Sequence, residues 1–542
     1  MNIQNRRFSF YCLIAILILA AILRFNHITQ PFTDYINWRQ ASTAMMAENY
    51  YRRNWNIFFP EISWDGPGPS YNGREFQTVT YLAALIYRVV GQHDWVGRSI
   101  AVLFGLWGIF ALYQLVRRVW GEKHALLSAA VMALIPGSIY FDRSFLPDPA
   151  MVSLVVTSVW MFVAYLQTER SRYLLLASVI GCWGFLTKIT GLIVGIPMLY
   201  ALGAIWIAQR KLANRQFLLI ISASILTLLP VTAYYLWAKH LATHYPPYHF
   251  AGGGNWLWDN GLQSWLKEQY FLPGAVWVFD TWLWTKPIIV LVLLGLIIRP
   301  PHHQYNHPSA PSPELANTAQ KNSAPWLFHW WIMAGIIYYL IGAKELVPNS
   351  WNFHILNPAA AALSAHAILS LASFFSKHWK PATLVTVALS LFLIGAIGHY
   401  GLKTVYNPSS PSLNATQSYK LGLALRQISQ PDDLVVTVAN DIGSPIAIYY
   451  SRRRGWTFPP AINDIDWSKL PEDDQISIRA FETLRDKGAD WLGIVAEHFE
   501  EIWGKHPKLV KHIETTCQFQ AKSQDWVIYR IPSSGHTTSI SN

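Results

Sequence analysis

The chain has 542 residues, 52% of them hydrophobic and 13% charged, with 26 tryptophans and a formal net charge of +11. That balance excludes an ordinary soluble domain and predicts a polytopic membrane protein. Residues 400–542 hold 15 basic and 16 acidic residues, leaving 27 and 15 elsewhere, so the positive excess belongs to the apolar part. It suits cytoplasmic loops facing anionic lipid, and no basic-aromatic module accompanies it, so nucleic acid is excluded as a partner.

In chain order, "FSFYCLIAILILAAILRF" (8–25) has basic residues before it and no small-residue cleavage site after it, which predicts a retained first span. Further apolar runs follow near 99–116, 125–141, 150–167, 173–187, 189–208, 217–238, 283–298, 326–342, 358–375 and 381–398, giving about eleven spans. Basic clusters fall in alternate short loops: Arg117, Arg118 and Lys123; Arg170 and Arg172; Arg210, Lys211 and Arg215; Lys377 and Lys380. These mark the cytoplasmic side. With Arg6 and Arg7 also inside, the N-terminus is cytoplasmic, and the loops at 26–98 and 239–282 and the C-terminal region are exoplasmic, as for a multi-pass protein of a plasma (inner) membrane.

Within the first outer loop, Thr33 is expected to cap a helix from about Tyr35 to Arg53 lying along the membrane surface. The stretch "YNGREFQTVTYLAALIYRVVG" (71–91) mixes polar residues into an apolar run and predicts a second interfacial helix. Residues 300–325, rich in Pro, Ser, Asn and Ala, read as a cytoplasmic linker, and the tryptophans of 254–271 as an interfacial belt. The "GGG" at 252–254 lacks the strand and helix of a nucleotide fingerprint. Beyond residue 400, "DLVVTVA", "DWLGIV" and "DWVIYRI" predict strands, while "SIRAFETLRDKG" and "EHFEEIWGKHPKLVKHI" predict helices. The fold class expected is therefore an α-helical polytopic membrane domain (1–399) with exoplasmic interfacial helices, followed by a small soluble α/β domain (400–542). Cys12, Cys182 and Cys517 form no disulfide framework or zinc pattern, so no metal ligands are assigned.

Candidate chemistry gathers on the outer face. Each short outer turn carries one basic residue against the topology bias: Arg143 in "FDRSFLPDPA", Lys188 in "GFLTK" and Lys344 in "IGAKELVPNS". Interfacial snorkelling would account for any one of them. Three together suit a phosphate that gains charge as its bond breaks. Asp34, Glu75 and Asp148 share that face, and a fixed carboxylate within hydrogen-bond reach of a hydroxyl is a suitable base. As bland alternatives, Asp34 is a helix cap and Asp148 a turn former. Arg39 is divided between substrate contact and helix surface, and His354 between substrate binding and a satisfied interfacial histidine.

The segments "TDYINWRQAST", "REFQTVTYLAALIYRVVGQHDWVGR", "FDRSFLPDPA" and "GFLTK" together resemble the polyprenyl-phosphate-dependent glycosyltransferases of family 39, which include protein O-mannosyltransferases and lipid A aminoarabinose transferases and have the GT-C membrane fold. The resemblance covers residue 8 to about 400. It implies a membrane glycosyltransferase of the cell envelope. Such an enzyme moves a sugar, with inversion, from a polyprenyl-monophosphate donor in the membrane lipid to a hydroxyl of an exoplasmic acceptor. Asp34 is then the catalytic base, with Asp148 and Glu75 the further acids; Arg143, Lys188 and Lys344 hold the leaving phosphate, and Arg74 replaces the family's cation, while Arg39 and His354 are candidate substrate contacts from the residues alone. No cofactor is required, although a divalent metal is compatible. The chain departs from the family pattern in having Tyr35 after Asp34, where Glu is common, and "REFQ" where many relatives have Lys-Pro-Pro. A transporter, or a polymerase or ligase using a diphosphate-linked donor, are the alternatives; the first predicts charges inside spans and inverted repeats, the second an arginine-rich outer loop.

Overall fold

A computed structural model describes residues 3–207, 214–248, 256–259, 261, 272–301, 324–378, 382–406, 415–460 and 469–533. The expected linker lies almost wholly outside these residues, as do the triglycine and most of the 254–271 tryptophan stretch. The chain divides into two compact units, each described by itself: Met1–Ile28, Arg98–Leu236 and Gly252–Ser410 form one, and Thr29–Gly97, Trp237–Ala251 and Pro411–Asn542 the other.

The first unit is helical. Among the described residues, eight helices of the chain are long and apolar enough to cross a membrane, and ten spans result if each of two bent pairs is one span. One pair, Glu122–Leu134 and Pro136–Asp142, bends by 65°; the other, Pro273–Leu283 and Thr285–Ile297, bends by 109°. Pro136 supplies a physical cause for the first break, because its nitrogen has no hydrogen to donate to the preceding turn. The remaining expected run, near 173–187, forms Ser171–Thr187, a helix of 17 residues. At 1.5 Å per residue it is about 25 Å long, marginal against a hydrocarbon core of about 30 Å. It packs along Asp148–Thr168, whose residues are almost all buried. Small residues allow that approach: a Cβ at Gly184 would lie 2.9 Å from Val155. The class is thus a multi-pass α-helical membrane protein with a small sheet.

In the second unit, residues of the first loop pack with residues beyond 411. Its sheet has six strands: β1 (Asp65–Gly66), β2 (Leu434–Val438), β3 (Arg454–Thr457), β4 (Trp491–Val495), β5 (Gln518–Lys522) and β6 (Trp526–Arg530), in the order β1-β3-β2-β4-β6-β5. β3, β2 and β4 are parallel; β1 adds antiparallel to β3, β6 antiparallel to β4, and β5 antiparallel to β6. The central strands are apolar runs, as burial on both faces demands. Val436, Leu492 and Ile494 pack with Phe481 and Leu484 of the Asp474–Asp486 helix and with Leu509 and Ile513 of Pro507–Thr516. The helical run expected over 497–513 divides at His506, because Pro507 starts a new helix at a position that needs no amide hydrogen.

The first loop forms two helices of this unit, Asn37–Arg52 and Thr78–Val90, packed on each other. Two expectations change. Thr33 does not cap: Ile36 occupies the N-cap position with no side-chain hydrogen bond. Nor is the first helix a surface rod, since Asn37 and the residues from Arg39 to Tyr50 are all buried. Arg454 fastens the loop to the sheet. Its Nε donates to the Gly66 carbonyl at 3.0 Å, its Nη2 to the Ile62 carbonyl at 3.1 Å, and its Nη1 pairs with Glu61.

Candidate active site

The sequence candidates divide between the two units. In the second, Asp34 sits in the turn just before the Asn37–Arg52 helix, 1% exposed, and its Oδ1 accepts a hydrogen bond from Gln40 Nε2 at 2.5 Å. The turn is closed by the Asn37 amide donating to the Asp34 carbonyl at 2.9 Å. One helical turn places Gln40 back over Asp34, which explains why a buried carboxylate is tolerated there. Beside it, Arg39 donates to Glu75 Oε1 at 2.7 Å and to Thr43 Oγ1 at 3.3 Å. The Arg74 guanidinium lies 5.7 Å from the Trp38 ring centre. Asp34, Arg39, Arg74 and Glu75 therefore belong to one polar neighbourhood built from a helix start and the segment preceding the next helix.

Asp441, which sequence reasoning missed, joins this neighbourhood. Burial raises its carboxyl above the usual range, opposed by a hydrogen bond from Asn37. Tyr35 is pushed up to about 12, chiefly by burial and then by the charge of Asp441. The pair of residues flanking Ile36 thus faces an acid some four hundred positions away, for which no local pattern exists.

In the first unit, Lys188 Nζ lies 2.6 Å from Asp148 Oδ1, with side chains 7% and 0% exposed. Lys188 is therefore not a lone cation. It follows the C-terminal end of Ser171–Thr187, while Asp148 occupies the first turn of its own helix, where the helix dipole favours an anion. Asp148 Oδ2 is buried and makes no hydrogen bond. Arg143, 3% exposed, stacks near Tyr140 and Tyr406 at 5.3 and 5.5 Å and donates to the Asn26 carbonyl at 3.4 Å. Lys344 is half-buried in the last turn of Leu327–Leu346.

Of the two readings of His354, the geometry fits the satisfied histidine, because both of its ring nitrogens are bonded inside the protein. Nε2 lies 2.9 Å from Asp142 Oδ1 and Nδ1 lies 2.8 Å from Asn357 Nδ2. Trp284 Nε1 donates to Asn357 Oδ1 at 2.8 Å. An indole N–H can only donate, so that oxygen accepts, the amide nitrogen faces His354, and Nδ1 must accept. The imidazole proton therefore sits on Nε2 and is donated to Asp142. Asp142 Oδ2 also accepts from Arg24 Nε at 2.9 Å, and the other Arg24 nitrogens reach the carbonyls of Met132 and Ala133 at 3.2 and 3.1 Å. A buried chain Arg24–Asp142–His354–Asn357–Trp284 results, ending at the break before Thr285. Arg24 was legible in principle: it is a charge inside an apolar run, and such charges require partners.

Among the described residues no three His, Cys, Asp or Glu side chains are grouped to hold a metal ion.

Residues 78–237 match the family described as dolichyl-phosphate-mannose-protein mannosyltransferase. Among curated proteins, YkcB of Bacillus subtilis (strain 168), named a mannosyltransferase by inference, is 23% identical over 222 residues, 39% of this chain and 29% of its own. Subunit STT3B of the dolichyl-diphosphooligosaccharide–protein glycosyltransferase of Oryza sativa subsp. japonica is 28% identical over 140 residues, 25% of this chain and 19% of its own. The chain thus covers less than a third of either relative. Among solved structures, ArnT from Cupriavidus metallidurans bound to undecaprenyl phosphate superposes with a TM-score of 0.60 at 12% identity, covering 96% of this chain and 98% of that one. The oligosaccharyltransferase AglB from Archaeoglobus fulgidus, in complex with an inhibitory peptide and a dolichol-phosphate, gives 0.60 at 13% identity over 98% and 77%. At 12–13% identity these solved structures share the chain's fold, and the family match covers residues 78–237.

Proposed function

We propose that the chain transfers a sugar from a polyprenyl-monophosphate donor to a hydroxyl of an exoplasmic lipid, glycan or protein acceptor, with inversion at the anomeric carbon. The observation that carries this reading is Asp34, a buried carboxylate held by Gln40 next to the Arg39–Glu75 pair. The solved structures of like fold that hold undecaprenyl phosphate or dolichol-phosphate support the donor class.

In this mechanism Asp34 takes the proton of the attacking hydroxyl, with Glu75 and Asp148 as further acids of the site. As the sugar–phosphate bond breaks, negative charge grows on the phosphate oxygens, and Arg143, Lys188 and Lys344 stabilise it. Lys188 enters this step paired with Asp148, whose charge offsets part of its own. Arg39 and Arg74 orient the substrate; His354 acts through Asp142 and touches no substrate. The charge compensation comes from side chains. The polar loop and the C-terminal residues are exoplasmic and the N-terminus cytoplasmic, as the loop charges imply.

The test is incubation of purified protein with radiolabelled polyprenyl-monophosphate and polyprenyl-diphosphate sugars. Transfer from the monophosphate, lost in Asp34→Asn, is expected; transfer from the diphosphate alone would overturn the reading in favour of a polymerase or ligase. Substrate flux that survives Asp34→Asn without any sugar transfer in the parent protein would favour a transporter.

A further inference from the structure

Four arginines converge in the second unit, none of them used above. Arg52 stands in the last turn of Asn37–Arg52, Arg426 in the last turn of Thr416–Ile428, and Arg452 caps the C-terminal end of Ile446–Ser451, followed directly by Arg453. The first two helices both pack on the third. Arg453 ties the group together: its Nη2 donates to the Arg426 carbonyl at 3.2 Å and the Ser429 carbonyl at 2.7 Å, and its Nε donates to Ser429 Oγ at 2.9 Å. Those partners are neutral, so they orient the guanidinium without pairing its charge.

Charge is unbalanced here. Glu48, buried, pairs with Arg52 at 3.0 Å and also senses Arg452 and Arg426. Two acids face Arg453, Asp433 and Asp432, and the first is already bonded to Arg530 and Trp491. Helix ends offer a structural alternative, since each carries about half a negative charge. Three such ends with Glu48 and Asp432 come to about 3.5 negative charges, still short of four guanidiniums. Burial and the mutual repulsion of Arg452, Arg52 and Arg453 hold Arg426 below the usual arginine range, as expected of cations held together without enough acid.

The neighbouring surface is apolar. Arg52 donates through Nε and Nη2 to Gln92 Oε1 at 3.2 and 2.9 Å, just beyond the helix Thr78–Val90. On that helix Leu85, Ile86, Val89 and Val90 are exposed on one face, Val89 by 85%, while Ala83, Ala84 and Tyr87 are buried on the other. Cations beside an exposed apolar face match a ligand with a charged head and an oily body, and a free anion would have no use for the second part.

We propose that Arg52, Arg426, Arg452 and Arg453 form a binding site for the phosphate headgroup of an anionic membrane lipid, with the exposed face of Thr78–Val90 lying among the chains. The site is separate from Asp34 and its neighbours, and binding is read without sugar transfer, so it stands or falls independently of the proposed reaction. The experiment uses the full chain in zwitterionic detergent and a short-chain phosphatidylglycerol with a fluorophore at the chain end. Unlabelled phosphatidylglycerol should displace the probe, with phosphatidylcholine and inorganic phosphate far weaker. Each guanidinium near an anionic surface contributes about fivefold, so Arg426→Gln with Arg452→Gln should weaken binding about thirtyfold. Arg426→Lys with Arg452→Lys should retain most of it, which separates lost charge from lost folding. Binding by the glutamine pair equal to the parent's would overturn the proposal, as would equal displacement by phosphatidylcholine. Displacement by inorganic phosphate as strong as by phosphatidylglycerol would instead assign the arginines to a free phosphate and refute the lipid.

Discussion

At the scale of single residues, the decisive features are buried charges and what satisfies them. Asp34→Asn keeps the volume and the contact with Gln40 while removing the base, so transfer should fall by about 10²–10⁴ with thermal stability unchanged. Gln40→Ala should reduce transfer less, through a misplaced Asp34, and Gln40→Glu should be worse than Ala because two carboxylates would share the site. Lys188→Ala strands Asp148 without its cation. A broken buried pair costs about 3–5 kcal/mol, so the unfolding temperature in detergent should drop, and adding Asp148→Asn should recover part of it. Asp34, Glu75, Asp148 and Lys188 could be chosen from sequence because polar residues beside apolar runs are costly and need a reason. The approach of Asp441 to Tyr35 and Asn37, and of Asp142 to His354, could not, since a contact between distant positions has no periodic signature.

Among the elements, the two broken spans and the sheet edge carry the argument. The bend at Pro136 leads to Asp142, and the bend at Thr285 follows Trp284; the Arg24–Asp142–His354–Asn357–Trp284 chain connects both to the start of Asn357–His378. Gly105 makes room for it, since a Cβ there would sit 2.5 Å from Asp142 Cγ. Gly105→Ala should therefore lower stability about as much as Asp142→Asn, and the two together should cost little more than one, which a double-mutant cycle would measure. At the other unit's edge, burial raises the Asp65 carboxyl of β1 from 3.8 to about 6, only partly opposed by Lys487 and Arg454. A raised carboxylate pKa means the folded state holds the proton more tightly, so stability is greatest below about pH 4 and falls as pH rises towards 6. Asp65→Asn should remove that loss, gaining about 1–2 kcal/mol at pH 7 after discounting for partial exposure and nothing at pH 4. Unfolding followed at the two pH values checks the sign.

For the whole molecule, composition, the lengths of apolar runs and the helical patterns were enough to determine a polytopic helical protein with a small α/β sheet, because burial in lipid demands long apolar runs and burial within a sheet short ones. Loop charges imply the orientation, and an alkaline phosphatase fused after residue 533 should accordingly be active in a bacterial host; an inactive fusion would reverse the topology. Only the tertiary structure decided that β1 of the first loop joins β3, that His354 spends both nitrogens on Asp142 and Asn357, and that Lys188 is paired. These are long-range hydrogen bonds and ion pairs. Their energy depends on distance and angle between groups brought together by folding, quantities that residue order along the chain does not carry.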